Sequence, residues 1–366
     1  MTAGLAGVLL AACGAPAPTP TTAPAKPVDT PKPADASKPA DAAKPTEAPK
    51  PTEPPKPTAA TKPTEASKPA AKAASGVPTD TFIFGRAGDS VKLDPINTTD
   101  GESSRVTEQI YETLAVFDGA TTNVKAGLAE SWKVSDDAKT WTFKLRSGVK
   151  FHDGTALDAD AVVWNFQRFF DAKNEFHKGG DFSYWGDMFG GFKNDPETEK
   201  DNVVADIKAA APDTIVFTLT QAMAPFIQNL AMFPFAIASP TAVKKDIENY
   251  FKNPVGTGPY KFVEWVPGDH ITVEANTSYW GDKPKTNKVI WRVIKDNTAR
   301  FLELKAGTIH GMEGANPDDA TAAKNDPDLK VILRPSMNVA YIGFNFADPA
   351  IAKKQVRQAI AYAVNR

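Results

Sequence analysis

The stretch from Gly14 to Ser75 sets the strictest limit on folding. It holds one branched aliphatic residue, Val28, and no aromatic. With so little apolar surface, burial cannot offset the entropy of ordering the chain. Lys-Pro pairs recur every six residues from Lys26 to Lys68. Acids sit three residues after six of these lysines, at Asp29, Asp35, Asp41, Glu47, Glu53 and Glu65. Proline fixes φ and removes backbone donors, so polyproline II at three residues per turn is the expected conformation. A period of six is two such turns, which places lysines and acids one turn apart on one face. Low-complexity drift with no selected spacing gives the same physical object, an extended spacer of up to ~190 Å at ~3.1 Å per residue. The segment is expected to be disordered.

At its near end the chain reads "MTAGLAGVLLAACGAPAP". Residues 4–12 are small and apolar, too short to span a bilayer as a helix. They have the character of a signal-peptide core, although no Lys or Arg precedes them. Leu10-Ala11-Ala12-Cys13 resembles the lipobox of bacterial lipoproteins, in which the cysteine is lipidated and becomes N-terminal. Cys13 is the only cysteine in the chain, so it offers no internal disulfide and no zinc site. Residues 1–13 are therefore expected to be a lipoprotein signal peptide, residues 14–75 the linker, and Cys13 the membrane attachment, on the outer side of the membrane.

Composition changes abruptly at Gly76. The linker takes nine lysines and six acids out of 42 basic and 44 acidic residues, which leaves 33 against 38 for the remainder, net −5. Such a surface does not favour nucleic acid. The pattern alternates strands and helices. Strands are expected at 81–88, 214–220, 260–265, 270–275, 288–294 and 338–346, with a hairpin over 130–148 that turns at Ser135-Asp136-Asp137-Ala138. Helices are expected at 103–117, with Val106, Ile110, Leu114 and Phe117 on one stripe, at 157–171 capped by Asp158, at 297–307 ended by Gly307, and at 352–366. Interleaved strands, hairpins and helices make an α/β fold with mixed sheets.

Four segments then carry a resemblance. They are "LRSGVKFHDGTALDADAVVWNFQRF" (145–169), "NPVGTGPYKFVEWVPGDHITVEANTSYWGDKP" (253–284), "LELKAGTIHGMEGANPDD" (302–319) and "NVAYIGFNFADPAIAKKQVRQAIAYAVNR" (338–366). In this order they closely resemble the extracellular solute-binding proteins of family 5, the peptide- and nickel-type binding lipoproteins of ABC importers. The last two look most like the dipeptide-binding branch. The resemblance implies a two-lobed periplasmic-binding-protein type II fold with a ligand cleft and an extra domain in the first lobe. It places the first lobe at 76–296, the extra domain at about 119–206, and the opening of the second lobe at 297–366. Residues 79–118 and about 207–296 are expected to build the first-lobe sheet. Relatives continue well past this point and hold peptide termini with an acid and an arginine from that later region. The second lobe is thus expected to be truncated, with an apolar stripe (Val356, Ala359, Ile360, Ala363) left on its last helix, and the chain to be a poor peptide receptor on its own.

The resemblance also implies that the loop after the first strand lines the cleft. Thr99, Asp100, Gly101 and Glu102 match that stretch by their distance from Asp94-Pro95, with Asn338 and Tyr341 as second-lobe candidates. Read from the residues alone, the same loop is a surface turn that caps the next helix, and Tyr341 suits a core equally well. "KGGDFSYWGDMFGGFKND" (178–195) reads either as a mobile rim loop or as an insertion packed on the extra domain. His152-Asp153 could tempt one toward acid–base catalysis, but a turn held by side-chain hydrogen bonds is the better account. "GTGPY" (256–260) lacks the lysine and helix of a phosphate loop. The four histidines, at 152, 177, 270 and 310, have no metal spacing. The reading is a monomeric receptor, not an enzyme, without cofactor or metal. It captures a peptide-like solute and hands it to ABC permease subunits. The alternatives are a secreted hydrolase on a proline-rich stalk, which predicts a nucleophile with a base or a carboxylate pair, and a wall adhesin, which predicts repeats after Gly76. Neither pattern is visible.

Overall fold

The computed structural model describes residues 80–333 and 341–364. The leader, Cys13, the linker and Asn338 lie outside the described residues. β1 (Thr81–Arg86) leads through a single 3-10 turn at Pro95–Asn97 into α1 (Gly101–Ile110). Two short strands, β2 (Ala115–Phe117) and β3 (Val124–Ala126), pair with each other. The hairpin of β4 (Ala129–Val134) and β5 (Thr140–Leu145) is followed by α2 (Ala159–Phe170) and α3 (Ser183–Phe189). A second hairpin, β6 (Val204–Ala211) and β7 (Thr214–Leu219), precedes α4 (Phe226–Leu230) and α5 (Pro240–Lys245). Then come β8 (Tyr260–Val266), β9 (His270–Ala275), β10 (Lys288–Val293), α6 (Asn297–Ala306), β11 (Gly311–Met312), α7 (Pro317–Lys324) and α8 (Lys354–Ala363). Among the described residues no helix is long and apolar enough to cross a membrane.

Two sheets organise these elements. One is mixed, in the order β11-β1-β10-β9-β8, with β1 parallel to both β10 and β11. Its core includes Val106 and Ile110 of α1 together with Ile271, Val273 and Trp291. The other is antiparallel, in the order β4-β5-β7-β6. Its core is rich in aromatics. Phe217 of β7 meets Phe166 of α2 edge-on at 4.9 Å and Phe143 of β5 at 5.6 Å. Trp185 and Phe189 of α3 stand 4.5 Å apart and continue the cluster. Each such pair adds about 0.5–1.5 kcal/mol beyond burial of its area.

Four expectations change. The helix expected over 103–117 stops at Ile110, and Ala115–Phe117 is a strand. Tertiary hydrogen bonds override the apolar stripe: the Gly258 amide takes the Ile110 carbonyl at 2.8 Å, and the amides of Gly127 and Leu128 take the carbonyls of Leu114 and Thr113. That approach explains the GTG sequence. A Cβ on Gly256 would sit 2.2 Å from the Ile110 oxygen, and one on Gly258 would sit 2.6 Å from the Gln109 oxygen. Next, a boundary at 206 falls inside β6. The hairpin 204–219 belongs to the β4–β5 sheet because β7 pairs along β5, with Phe217 opposite Trp141. Third, 297–312 packs on the mixed sheet. β11 pairs with β1, and Arg300 of α6 is fully buried, donating to the carbonyls of Ile294 and Glu313 and to Asn297 Oδ1. Last, residues 341–345 form no strand, and Tyr341 is 86 % exposed rather than core. No residue of α8 is buried.

Residues 178–195 take the packed form. Phe182, Trp185 and Phe189 are buried in the aromatic core, and the Trp185 indole donates to the Gly191 carbonyl at 3.1 Å.

Candidate ligand-binding face

The segment between β1 and α1 is held from both sides. The Asp94 carboxylate, buried, meets the Arg168 guanidinium of α2 at 2.5 and 3.3 Å and accepts from Asn97 Nδ2 at 3.0 Å. Arg168 is fully buried, and its Nε donates to the Phe176 carbonyl. The Thr98 hydroxyl donates to the Asp94 carbonyl at 2.9 Å. The Tyr111 hydroxyl, from the end of α1, donates to the Leu93 carbonyl at 3.0 Å and lies 2.8 Å from the Tyr250 hydroxyl. Every turn of 93–98 therefore has a buried anchor, and the residues that follow start from a fixed position.

Asp100 is the N-cap of α1, its Oδ1 accepting from the Ser103 amide at 2.8 Å. The capping expected from the residues alone is real, and Asp100 performs it. Thr99 and Asp100 also line a cavity of about 380 Å³ with Lys92, Asn97, Gly180 and Asp181. Gly101 is exposed, and a Cβ there would meet nothing within 4 Å. The approach it leaves open does not require glycine. Glu102 points its chemistry inward. Its carboxylate pairs with Arg105 at 3.0 Å, Arg105 continues to Glu313 at 2.6 Å, and its carbonyl accepts from Arg86 and Ser90. The structure thus brings Thr99 and Asp100 together at one cavity and sets Glu102 apart from it. Tyr341 lies on an irregular, exposed segment.

A larger cavity of about 560 Å³ has Thr98 and Ser104 in its wall. Glu108, Glu112, Tyr184, Phe233 and Tyr279 contribute to its wall. Glu112 is gripped by three donors: the Tyr279 hydroxyl at 2.7 Å, the Thr257 hydroxyl at 2.7 Å and the Trp280 indole at 2.9 Å. Burial pushes its carboxyl above the ordinary range, against those three hydrogen bonds. Burial likewise raises Glu108, with Arg105 opposing. Arg146 stacks 4.7 Å over Trp280 and closes the cluster from outside. The only sequence signal was the one-turn spacing Glu108-x-x-x-Glu112. The partners of Glu112 lie 145 to 168 residues downstream.

The His152-Asp153 pair is structural in its contacts. His152 Nε2 lies 2.9 Å from the Gly258 carbonyl, and its amide donates to the Gly256 carbonyl. Asp153 accepts from Thr155 and, at 2.5 Å, from the Ser239 hydroxyl. Among the described residues no group of three or more His, Cys, Asp or Glu side chains is placed to hold a metal ion.

Comparison with known proteins agrees with this architecture. The family model "Bacterial extracellular solute-binding proteins, family 5 Middle" matches residues 123–366. The chain is 32 % identical over 316 residues to the dipeptide-binding protein of Escherichia coli, covering 81 % of this chain and 56 % of that protein. It is 35 % identical over 302 residues to di/tripeptide-binding protein 1 of Pseudomonas aeruginosa, covering 78 % and 54 %. The chain thus spans little more than half the length of the curated relatives it matches. Among solved structures, the ABC transporter-associated periplasmic binding protein DppA from Helicobacter pylori, in complex with the peptide STSA, superposes with a TM-score of 0.69 at 31 % identity, covering 78 % of this chain and 56 % of that one. A dipeptide-binding protein from a Pseudoalteromonas species, in complex with Met-Leu, superposes with a TM-score of 0.71 at 26 % identity, covering 78 % and 57 %. The mixed α/β fold is that of the type II periplasmic binding proteins, and the chain belongs to the bacterial extracellular solute-binding proteins of family 5.

Proposed function

We propose that this protein is the lipid-anchored, extracytoplasmic solute receptor of an ABC importer, capturing a small peptide or similar solute and passing it to the permease. The observation that carries this reading is the immobilised segment 93–100. The buried Arg168–Asp94 pair and the Tyr111 anchor fix it, and it presents Thr99 and Asp100 to an open cavity. A receptor needs such preorganisation, because ordering a binding loop at the moment of capture subtracts from affinity. The relatives' names support peptides as the solute class. Cys13 is the attachment point, and 14–75 is the spacer that lets a monomer reach its partner. The chain performs no chemistry in this reading: Ser239 donates to Asp153, while the neighbouring His152 turns its imidazole to the Gly258 carbonyl and not to that hydroxyl.

Calorimetric titration of a di- and tripeptide panel, with chromatography of the mixture afterwards, tests capture. Saturable binding with intact peptide supports the proposal. Cleaved peptide, or no saturation by ~10 mM, overturns it. In a bacterial host Cys13→Ser is expected to move the protein out of the membrane fraction, and unchanged retention would remove the lipid anchor from the reading.

A further inference from the structure

One buried aromatic is held in a conformation it would not choose alone. Phe182, at the start of α3, has φ 51° and ψ 34°. For a bulky side chain this left-handed region is an outlier, kept only where the surroundings enforce it. The His177 ring stacks on Phe182 at 4.0 Å, 14° from parallel, and the Arg168 guanidinium lies 5.5 Å from the Phe182 centroid. His177 is itself tied down, its Nδ1 standing 2.8 Å from the Arg168 carbonyl. A carbonyl only accepts, so Nδ1 carries the proton of the neutral ring, and Nε2 is the atom left to take a second one. Residues 178–181 are thereby a short strap whose two ends meet in the His177–Phe182 stack. The strap is exposed at Gly179, Gly180 and Asp181. Lys92 donates to its Gly179 carbonyl, and Gly180 rests against Asn97, where a Cβ would lie 1.9 Å from Oδ1. Gly180 and Asp181 wall the cavity of about 380 Å³. Whatever opens the stack therefore moves that wall.

A second proton on His177 would meet several charges. Arg168 and Asp171 face the ring from α2 and the turn after it, and Asp195 faces it from the segment after α3. Lys193 lies on that same segment, Lys178 and Asp181 on the strap, and Lys92 and Asp94 on the segment after β1. Burial opposes the charged ring most, and Arg168 adds repulsion, so the His177 pKa lies below its ordinary value against the hydrogen bond to the Arg168 carbonyl and the pull of Asp171 and Asp195. A charged ring gains by leaving the buried stack for water and those two carboxylates. We infer that His177 and Phe182 form a pH-sensitive clasp, closed while the imidazole is neutral and released on protonation, so that the strap and the cavity wall it carries loosen in acid. The closed form binds fewer protons than the open one, so closure is complete above pH ~6.5 and weakens as pH falls below it. The clasp rests on the receptor reading only for its use, which is to make hold on a solute depend on external acidity.

The test follows the His177 ring signals and the amide signals of Gly179 and Gly180 by NMR between pH 8.0 and 5.5, with the Phe217 amide of β7 as the reference for global change. Gly179 and Gly180 are expected to titrate with the His177 midpoint. Their protection from hydrogen exchange, corrected for the intrinsic rate, should fall about threefold or more between pH 6.5 and 5.5 while that of Phe217 does not; one proton allows at most about tenfold per pH unit. His177→Phe keeps a ring for the stack and takes no proton, so the strap should no longer respond. Asp195→Asn removes an exposed charge that favours the imidazolium, and it should move the shared midpoint to lower pH by about 0.3. A merely structural role for Asp195 would not move that midpoint, so the test survives if His177→Phe is unstable. Strap signals that stay constant while His177 titrates, a response that persists in His177→Phe, or a midpoint unmoved by Asp195→Asn overturns the inference. If the strap titrates while peptides bind at no pH, the receptor reading falls and the clasp stands. If peptides bind and the strap does not titrate, the clasp falls and the receptor stands.

Discussion

His152 makes the stability of this fold depend on pH in a calculable way. Its Nε2 lies 2.9 Å from the Gly258 carbonyl. A carbonyl only accepts, so the neutral ring carries its proton on Nε2, and Nδ1 is a buried atom without a partner. Protonation would place a charge and a second donor where nothing receives them. Burial accordingly lowers its pKa from 6.5 to about 4, against the favourable Gly258 carbonyl. Between those values the unfolded chain binds the proton and the folded chain does not, so folding loses stability as pH falls. The contribution is complete above pH ~6.5. At pH 5 the two binding polynomials differ by a factor of about 30, or about 2 kcal/mol. His152→Gln keeps a donor for Gly258 and removes the titration. Urea unfolding of both proteins at pH 7.5 and 5.0 should show the wild type losing about 2 kcal/mol more than the variant. His177, also lowered by burial, is common to both proteins and cancels. Equal losses would refute the assignment of a neutral, buried His152.

Two further substitutions probe the frame around the candidate site. Arg168→Met leaves the Asp94 carboxylate buried with only Asn97 Nδ2 as a side-chain partner, and about 3–5 kcal/mol of stability should be lost in denaturant unfolding; a loss under ~1 kcal/mol would mean that the pair is solvated in solution. Gly256→Ala forces a methyl to within 2.2 Å of the Ile110 oxygen, and a cost at or above the upper end of ~1–3 kcal/mol is expected, with shifted amide signals at the end of α1.

What the sequence disclosed was local. The alternation of Trp132, Val134, Trp141 and Phe143 gives the hairpin because its two strands are joined by a four-residue turn, and the observed pairs are Trp132–Phe143 and Val134–Trp141. Asp158 reads as a cap because capping needs only the amide three residues on, and its Oδ1 takes the Ala161 amide at 2.8 Å. Misreadings fall where distant chain decides. Leu114 is buried and in phase with α1, yet its carbonyl is claimed by Gly127 and Ala129. Nothing near β7 reveals that it pairs with β5, some 75 residues earlier. The resemblance singled out Thr99 and Asp100, and the structure puts both at one cavity, whereas no local pattern marks Asn97, whose Oδ1 is left without a partner only once Arg168 and Gly180 are in position.

The Arg168–Asp94 pair also bears on why the four-stranded unit is present at all. An apolar pair of similar volume is often as stable as a buried ion pair, or more so, because the desolvation of two charges absorbs most of their attraction. Stability alone is therefore a weak reason for placing a guanidinium at that point. An ion pair does what an apolar contact cannot, which is to fix direction. The two Arg168 nitrogens meet both Asp94 oxygens, and the same carboxylate then dictates which end of the Asn97 amide faces inward. Arg168 belongs to α2, whose Phe166 packs against Phe217 of the four-stranded sheet, whereas Asp94 and Asn97 follow β1 of the mixed sheet. The added unit thus reaches across to orient a residue it does not own. A loop set in this way keeps its geometry only while both units are docked, so the four-stranded unit shapes the segment after β1 through the Arg168 side chain, and its contribution is directional before it is energetic.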